Sequence, residues 1–272
     1  MRYFRQVILV FFIFGSITTP IHSQTVVTSV SNAELSNSSF ETPDIAFGMF
    51  QYAPAGSDWN FYLTAGISDN GSGFTNCNPN APAGNQVMML QNDGSVSRGV
   101  PIGSGNAAAY RVSIKAAQRG CTNSIGQTIR MLFDGAPIGM IRPVNTTYQT
   151  YTTAVYWLTV GNHTLKLEGT VTTGDNTALL DDIRLEKLPS WSQTSTWQGG
   201  VIPSVTSTVN IPAGFAVALD ATNCVGRIIN TDGILSAPLN TNFNLATECV
   251  HVKPNGLLEI GQEGAPYTAT GK

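Results

Sequence analysis

Tyr110-Arg111-Val112-Ser113-Ile114-Lys115-Ala116 sets apolar and polar side chains in alternation, and Ile129, Met131 and Phe133 alternate with Thr128, Arg130 and Leu132 soon after. A period of two is the pattern of a strand with one buried face, and neither stretch fits the 3.6-residue period of a helix. Outward from this pair, residues 86–91, 148–159, 163–168 and 178–188 read as further strands. Turn residues at Asp134-Gly135, Gly161-Asn162 and Thr173-Gly174-Asp175-Asn176 separate them. Roughly eight strands in about 160 residues predict an all-β jelly-roll β-sandwich or a related sandwich, large enough to bury its own core.

Two strings bracket this region, Asn37-Ser38-Ser39-Phe40-Glu41 and Leu179-Leu180-Asp181-Asp182-Ile183-Arg184-Leu185. Terminal strands of such sandwiches often lie side by side, so Glu41, Asp181 and Asp182 are predicted to meet and share a hard cation. Carbonyls near Ser38 or Ser39 would complete the six to eight oxygens that Ca2+ takes. Asp181 shares parity with Ile183 and Leu185, which predicts that it points inward, where a carboxylate without a cation or donors is costly. The competing reading has Glu41 or Asp181 paired with a basic residue, or capping backbone amides, without metal.

The chain begins with Arg2 and Arg5, an apolar run over 7–15 and the polar stretch Ile21-His22-Ser23-Gln24, which reads as an export signal over residues 1–24. The apolar run is shorter than the ~20 residues a bilayer needs, so no membrane span is expected. All 17 acids lie beyond Gln24, whereas two of the 14 basic residues precede it, so the remaining chain is more acidic than the net charge of −3. Scattered basic residues argue against nucleic acid as a partner. Four cysteines, Cys77, Cys121, Cys224 and Cys249, favour disulfides in an oxidising compartment. Of the three connectivities, Cys77 with Cys121 and Cys224 with Cys249 keeps each bridge inside one expected domain.

The pattern changes after Leu188. Pro189-Ser190, then Trp191 and Trp197, open a region of short strands punctuated by Gly199-Gly200, Pro203, Pro212, Gly214, Gly226, Gly233, Gly256 and Gly261. A domain boundary near Pro189 is expected, giving a sandwich over 25–188 and a second unit over 189–272. Such units suit the coils of a solenoid, in which each rung needs a neighbour to bury its apolar face. No polar capping element is visible before Lys272, so a longer protein is expected.

Residues 25–188 resemble the galactose-binding-like carbohydrate-binding modules. The resemblance rests on the order of Asn37-Ser38-Ser39-Phe40-Glu41, Trp59-Asn60-Phe61, Ala81-Pro82-Ala83-Gly84, Phe133-Asp134-Gly135, Gly161-Asn162-His163-Thr164-Leu165 and Leu180-Asp181-Asp182-Ile183. It implies a jelly roll, often with a structural calcium ion joining the terminal strands, and frequently glycan binding. From about residue 191 the chain resembles the G8 domain of extracellular proteins, on Trp197-Gln198-Gly199-Gly200, Val209-Asn210-Ile211-Pro212-Ala213-Gly214, Leu219-Asp220 and the run 250–261. It resembles the front of that module, a partial glycine-punctuated β-solenoid-like domain. Some G8 proteins are linked to hyaluronan binding or breakdown.

Sugars present flat C–H faces that stack on aromatic rings and hydroxyls that seek amides and carboxylates. Tyr52, Trp59, Tyr62 and Trp157 are the candidate sugar-binding rings, with Asn60 and Gln91 as polar neighbours. Trp157, opposite in parity to Tyr156, is the better surface candidate, while Trp59 beside Phe61 also suits a core. No motif assigns a glycosidic acid and its partner, and His163 and His251 suit ordinary sheet positions. The sequence thus predicts a secreted or cell-surface, non-catalytic carbohydrate-binding region of a larger protein, its partner a polysaccharide or glycan. The alternatives are the targeting portion of a polysaccharide-degrading, hyaluronidase-like enzyme, and an adhesin or spacer that binds protein.

Overall fold

The computed structural model describes residues 22–33, 35–122 and 126–269, so most of the expected export signal, residues 1–21, lies outside the described residues. Strands dominate, as the period-two reading requires. The larger sheet of the sandwich runs β11 (Gln149–Thr152), β8 (Ala108–Gln118), β14 (Thr177–Leu188), β6 (Gln86–Gln91), β5 (Ala65–Asp69) and β3 (Phe50–Tyr52). In the same sheet β12 (Tyr156–Leu158) pairs with β8, and β2 (Ser31–Ala33) pairs with β14. The smaller sheet runs β10 (Ala136–Ile141), β9 (Ile129–Phe133), β13 (Gly161–Gly169), β7 (Ser95–Ile102) and β4 (Asn60–Tyr62). The expected strand over 148–159 is split into β11 and β12, with Thr153, Ala154 and Val155 buried between them.

The alternation seen in sequence fills the space between the sheets. Tyr110, Val112, Ile114 and Ala116 of β8 meet Ile129, Met131 and Phe133 of β9 in one core, joined by Met88, Leu90, Leu165 and Leu167. The outer face of the larger sheet is also covered near β5 and β6. There Val87, Met89 and Leu179 pack under Phe74 in a second, smaller cluster. The segment after β5 that carries Phe74 is tied across this face by the Cys77–Cys121 disulfide. Asn78 reinforces the tie, donating from Nδ2 to the Gln118 and Thr146 carbonyls at 2.7 and 2.8 Å. Two covered faces explain why β6 reads as Val-Met-Met-Leu rather than as an alternating strand.

The second unit is a parallel solenoid. One face stacks β1 (Ser23–Thr25), β15 (Thr208–Ile211), β18 (Ile228–Thr231) and β21 (Cys249–Val252). A second stacks β16 (Ala216–Ala218), β19 (Ile234–Ser236) and β22 (Leu257–Glu259), and a third pairs β17 (Cys224–Val225) with β20 (Leu245–Ala246). Val209, Ile211, Val217, Ile229 and Leu235 point inward and pack on Trp191 and Trp197. The indoles meet edge to face at 4.9 Å, and Trp197 Nε1 donates to the Trp191 carbonyl at 2.8 Å. Gly233 and Gly256 mark tight turns between rungs, where an added Cβ would come within 2.2 Å of a backbone oxygen of the rung below.

Ser23 and Gln24, assigned from sequence to the end of the export signal, form β1 together with Thr25 on the solenoid. Val26, expected to open the sandwich, belongs to the solenoid core. The physical reason is an open strand edge on β15, which β1 covers in parallel register with Ser23 opposite Thr208. The sandwich therefore starts at β2, not at residue 25.

The expected Cys224–Cys249 bridge is absent; both residues are free thiols. Cys224 on β17 pairs with Leu245, while Cys249 on β21 pairs with Ile228, so the two lie on different faces of the solenoid. Burial pushes the Cys224 thiol up to about 11, which makes it a poor nucleophile. Alkylation of the native, unreduced protein is therefore expected to label Cys249 alone, and alkylation in denaturant to label both. Mass spectrometry of the modified peptides checks this, and a 224–249 disulfide-linked peptide would contradict it.

Candidate functional site

The two strings that bracket the sandwich do come together. Asn37 and Phe40 take positive φ, 49° and 62°, which turns the 37–41 segment back on itself. The Asn37 side chain closes the turn, accepting the Thr42 N–H at 3.0 Å and donating to the Thr42 carbonyl at 2.6 Å. The Ser38 carbonyl accepts the Ile183 N–H at 3.0 Å, which joins the turn to β14. Glu41 then reaches the 81–86 segment, accepting the Asn85 and Gln86 amides at 3.1 and 2.9 Å. Gly84 is required beneath it, because a Cβ there would sit 2.3 Å from the Glu41 carboxyl carbon.

Asp181 enters the same segment from the other side. Its Oδ2 accepts the Ala83 amide at 2.7 Å and its Oδ1 the Asp182 amide at 2.7 Å. The side chain is 0% exposed. Parity with Ile183 fails, because a bulge shifts the β14–β8 register between Asp181 and Arg184, with Asp182 at φ 47°. Leu180 and Ile183 both face the main core, and Asp181 follows Leu179 to the covered outer face. Asp182 turns away to chelate Arg184, with two contacts of 2.9 Å. Glu41 and Asp181 thus converge and Asp182 does not. Among the described residues no group of three or more His, Cys, Asp or Glu side chains forms a metal cluster.

Burial raises the Asp181 carboxyl to about 7, and the nearby Asp182 and Glu41 charges add to the rise against its two amide donors. The Tyr148 hydroxyl is buried without a partner, and the Asp181 charge helps to raise its pKa. Each ionised carboxylate offers about four acceptor sites, so Glu41 and Asp181 keep lone pairs beyond those the amides use. Two crowded carboxylates with free oxygen lone pairs and an electrostatic need for positive charge fit a hard divalent cation.

The candidate sugar-binding rings separate into three groups. Trp59 is 2% exposed and is a core residue: it lies 5.4 Å from Phe40, is covered by Arg98 at 5.1 Å, and donates from Nε1 to the Asn37 carbonyl at 3.0 Å. Trp157 does lie opposite Tyr156, but that face is the seam with the solenoid. Its amide donates to Asn240 Oδ1 at 2.8 Å, its carbonyl accepts from Asn240 Nδ2 at 3.0 Å, and its ring packs beside Val155, Ala216 and Ala218. Tyr52 and Tyr62 are exposed, on the edge strands β3 and β4.

Tyr52 belongs to a row that sequence reasoning did not assemble. Phe47 is 86% exposed, Phe50 42% and Tyr52 39%, along the edge strand and the turn before it. Phe50 and Tyr52 share the outer face because β3 puts residues two apart on one side. Buried Phe74 buttresses both edge to face, at 4.8 Å from Phe50 and 6.1 Å from Tyr52. Arg119 covers Phe74 at 4.1 Å and holds Asp175 at 3.0 Å, while Gln91 donates to Asp175 at 2.5 Å and accepts the Tyr52 hydroxyl. The result is a braced pair of open rings with an ordered amide and carboxylate at one end. The available signal was the Phe-x-Tyr spacing; Phe74, Asp175 and Arg119 are distant in sequence and give none. His163 lies between Asp134 at 2.6 Å and the Thr159 carbonyl at 2.9 Å, as expected of an ordinary sheet position.

Against known proteins, the solenoid finds a family. Residues 196–272 match the G8 domain. The G8 stretch thus begins beside Trp197 and includes every rung of the solenoid except β1. No curated protein matches the chain. Among solved structures, a Stig cyclase, Fisc, from Fischerella sp. TAU is 14% identical, with 58% of this chain and 98% of that one covered and a TM-score of 0.46. TmCBM61 in complex with β-1,4-galactotriose is 19% identical over 58% and 99% of the two chains, with a TM-score of 0.40. The K2 cleaved adhesin domain of Lys-gingipain is 14% identical over 54% and 95%, with a TM-score of 0.38. These are likenesses of architecture alone. No helix among the described residues is long and apolar enough to cross a membrane.

Proposed function

We propose that this chain is an exported, non-catalytic carbohydrate-binding region of a larger secreted or cell-surface protein, and that it attaches that protein to a polysaccharide or glycan. The observation that carries the reading is the row Phe47, Phe50 and Tyr52 on an edge strand, braced by Phe74 and ending at Gln91 and Asp175. Open rings offer a stacking surface for the C–H face of a sugar, and the amide and carboxylate offer partners for its hydroxyls. Tyr62, exposed on the edge strand of the smaller sheet, is a separate ring and not part of this row. The Cys77–Cys121 disulfide supports an oxidising, extracellular setting. Asp181 has no exposed surface, so the Glu41–Asp181 pair cannot flank a glycosidic bond, which supports a non-catalytic role. That pair is the proposed seat of a structural Ca2+ tying the 37–41 turn to β14. Leu257, Leu258 and Ile260 are exposed on the last rung, which supports a further rung stacking there within a larger protein.

The test is a panel of soluble polysaccharides screened by affinity electrophoresis with the full chain, followed by Phe50→Ala and Tyr52→Ala. Each substitution is expected to weaken binding to the selected polymer roughly tenfold or more, about 1.4 kcal/mol, while Trp157→Ala leaves it unchanged. Polysaccharide binding that survives both edge substitutions would take the glycan site away from this row, and no binding to any polymer together with saturable binding to a protein surface would replace this reading with the adhesin one.

A further inference from the structure

Away from the aromatic row, a cleft of ≈ 600 Å³ opens at the rim of the sandwich, where β2 faces the end of β7 and the start of β8. This volume accommodates one or two sugar rings. Its charged lining is Arg98 and Lys187, and among the described residues no carboxylate lines it. Elsewhere in the sandwich Arg111, Arg119, Arg130, Lys166 and Arg184 each face an acid. The two cleft cations instead hold neutral partners. Lys187 Nζ donates to Asn106 Oδ1 at 3.2 Å, and the Arg98 guanidinium donates to the Ser36 carbonyl and, at 3.2 Å, to the Ser36 hydroxyl. Asp58 stands behind Ser36, accepting its hydroxyl at 2.6 Å, and faces Arg98 from outside the cleft.

Among the described residues the rest of the lining is neutral. Asn32 and Asn106 offer amide donors and acceptors, and Pro101 and Ile102 supply an apolar wall. The Asn106 position is fixed, since the Tyr110 hydroxyl donates to its carbonyl at 2.7 Å. Arg98 is held as well, by Ser36 on one side and the Trp59 ring on the other. A cationic pair, neutral hydrogen-bonding groups and an apolar wall in one concavity match a ligand that carries a carboxylate, hydroxyls and a C–H face together. We infer that this cleft is a second binding site, specific for a carboxylate-bearing sugar, that is, a uronate residue. The carboxylate sits at Arg98 and Lys187, where charge-assisted hydrogen bonds are strongest, and the ring lies along Ile102. This inference stands independently of the aromatic row, since the two sites share no residue.

Calorimetric titration of the full chain with trigalacturonate, galactotriose and acetate tests it. Trigalacturonate is expected to bind, to weaken as salt is raised, and to exceed both acetate and galactotriose in Tyr52→Ala as in the unaltered protein. Lys187→Gln is expected to weaken trigalacturonate roughly tenfold and Lys187→Arg to restore most of it, with the melting temperature of each unchanged. Trigalacturonate binding no tighter than galactotriose, binding matched by acetate, or binding unaffected by Lys187→Gln would each overturn the inference. Loss of trigalacturonate binding in Tyr52→Ala alone would assign it to the aromatic row and likewise overturn it.

Discussion

Trp59→Ala is expected to lower the stability of the sandwich by about 3–5 kcal/mol, the usual cost of emptying a buried large aromatic site. The side chain is buried, stacks against Phe40, and carries the guanidinium of Arg98 on its face. Its Nε1 also holds the Asn37 carbonyl, so the substitution leaves the 37–41 turn with an unanswered acceptor. For a unit of this size the loss corresponds to roughly 10 °C in melting temperature. Affinity for a neutral glycan, measured well below that temperature, is expected to stay at the unaltered value. Thermal unfolding and the polymer titration, run side by side, separate a core residue from a ligand-stacking one. Lost affinity with unchanged melting would return Trp59 to the binding surface.

The second large effect is on pH dependence. Folding raises the Asp181 carboxyl from its ordinary value near 4 to about 7, chiefly by burial. The folded state therefore holds this proton more tightly than the unfolded chain does. In chelator, the contribution of Asp181 to stability is full below pH 4 and falls as pH rises towards 7, by an amount of order 4 kcal/mol. Asp181→Asn is expected to flatten that slope. Calcium should act in the opposite sense, because it takes the ionised carboxylates and so raises the melting temperature most at and above neutral pH. Glu41→Gln and Asp181→Asn should each abolish the calcium response. Melting curves between pH 4 and 8, in calcium and in chelator, decide the matter. A calcium shift that persists in both variants would sink the proposed site, and a slope that persists in Asp181→Asn would sink the titration.

The sequence pattern exposed the sandwich because its central strands, β8 and β9, have one buried face each and a strict period of two. It also exposed the meeting of Glu41 with Asp181, although the 37–41 string is a turn after the first sandwich strand and not a strand itself. The bulge after Asp181 was not legible, since one extra residue in a strand leaves no compositional trace, and it reversed the side on which Asp181 lies. Covering of the outer sheet face by the segment around Phe74 depended on a contact between distant residues, and so did the braced rings. Trp157 was placed on the correct side of its strand, yet the neighbour across that side is the solenoid, which parity alone cannot reveal. The Cys224–Cys249 pairing failed because rung geometry, not proximity in sequence, decides which side chains share a face.

Strand β1 sets an order of events in the making of the protein. Residues 23–26 leave the ribosome early, but their partners Thr208, Val209 and Asn210 follow only on the order of ten seconds or more later. In the interval Val26 has no apolar neighbour to bury it. The sandwich can close meanwhile, and its incoming strand β2 lies directly against its outgoing strand β14, with Ser31 opposite Lys187. That closure delivers the waiting segment to the place where Trp197 and then the first rung emerge, so a loop of more than 150 residues is joined at the entropic cost of a short one. Topologically the sandwich is an insertion between the first strand of the solenoid and its second, and a fault in the sandwich would delay completion of the solenoid as well.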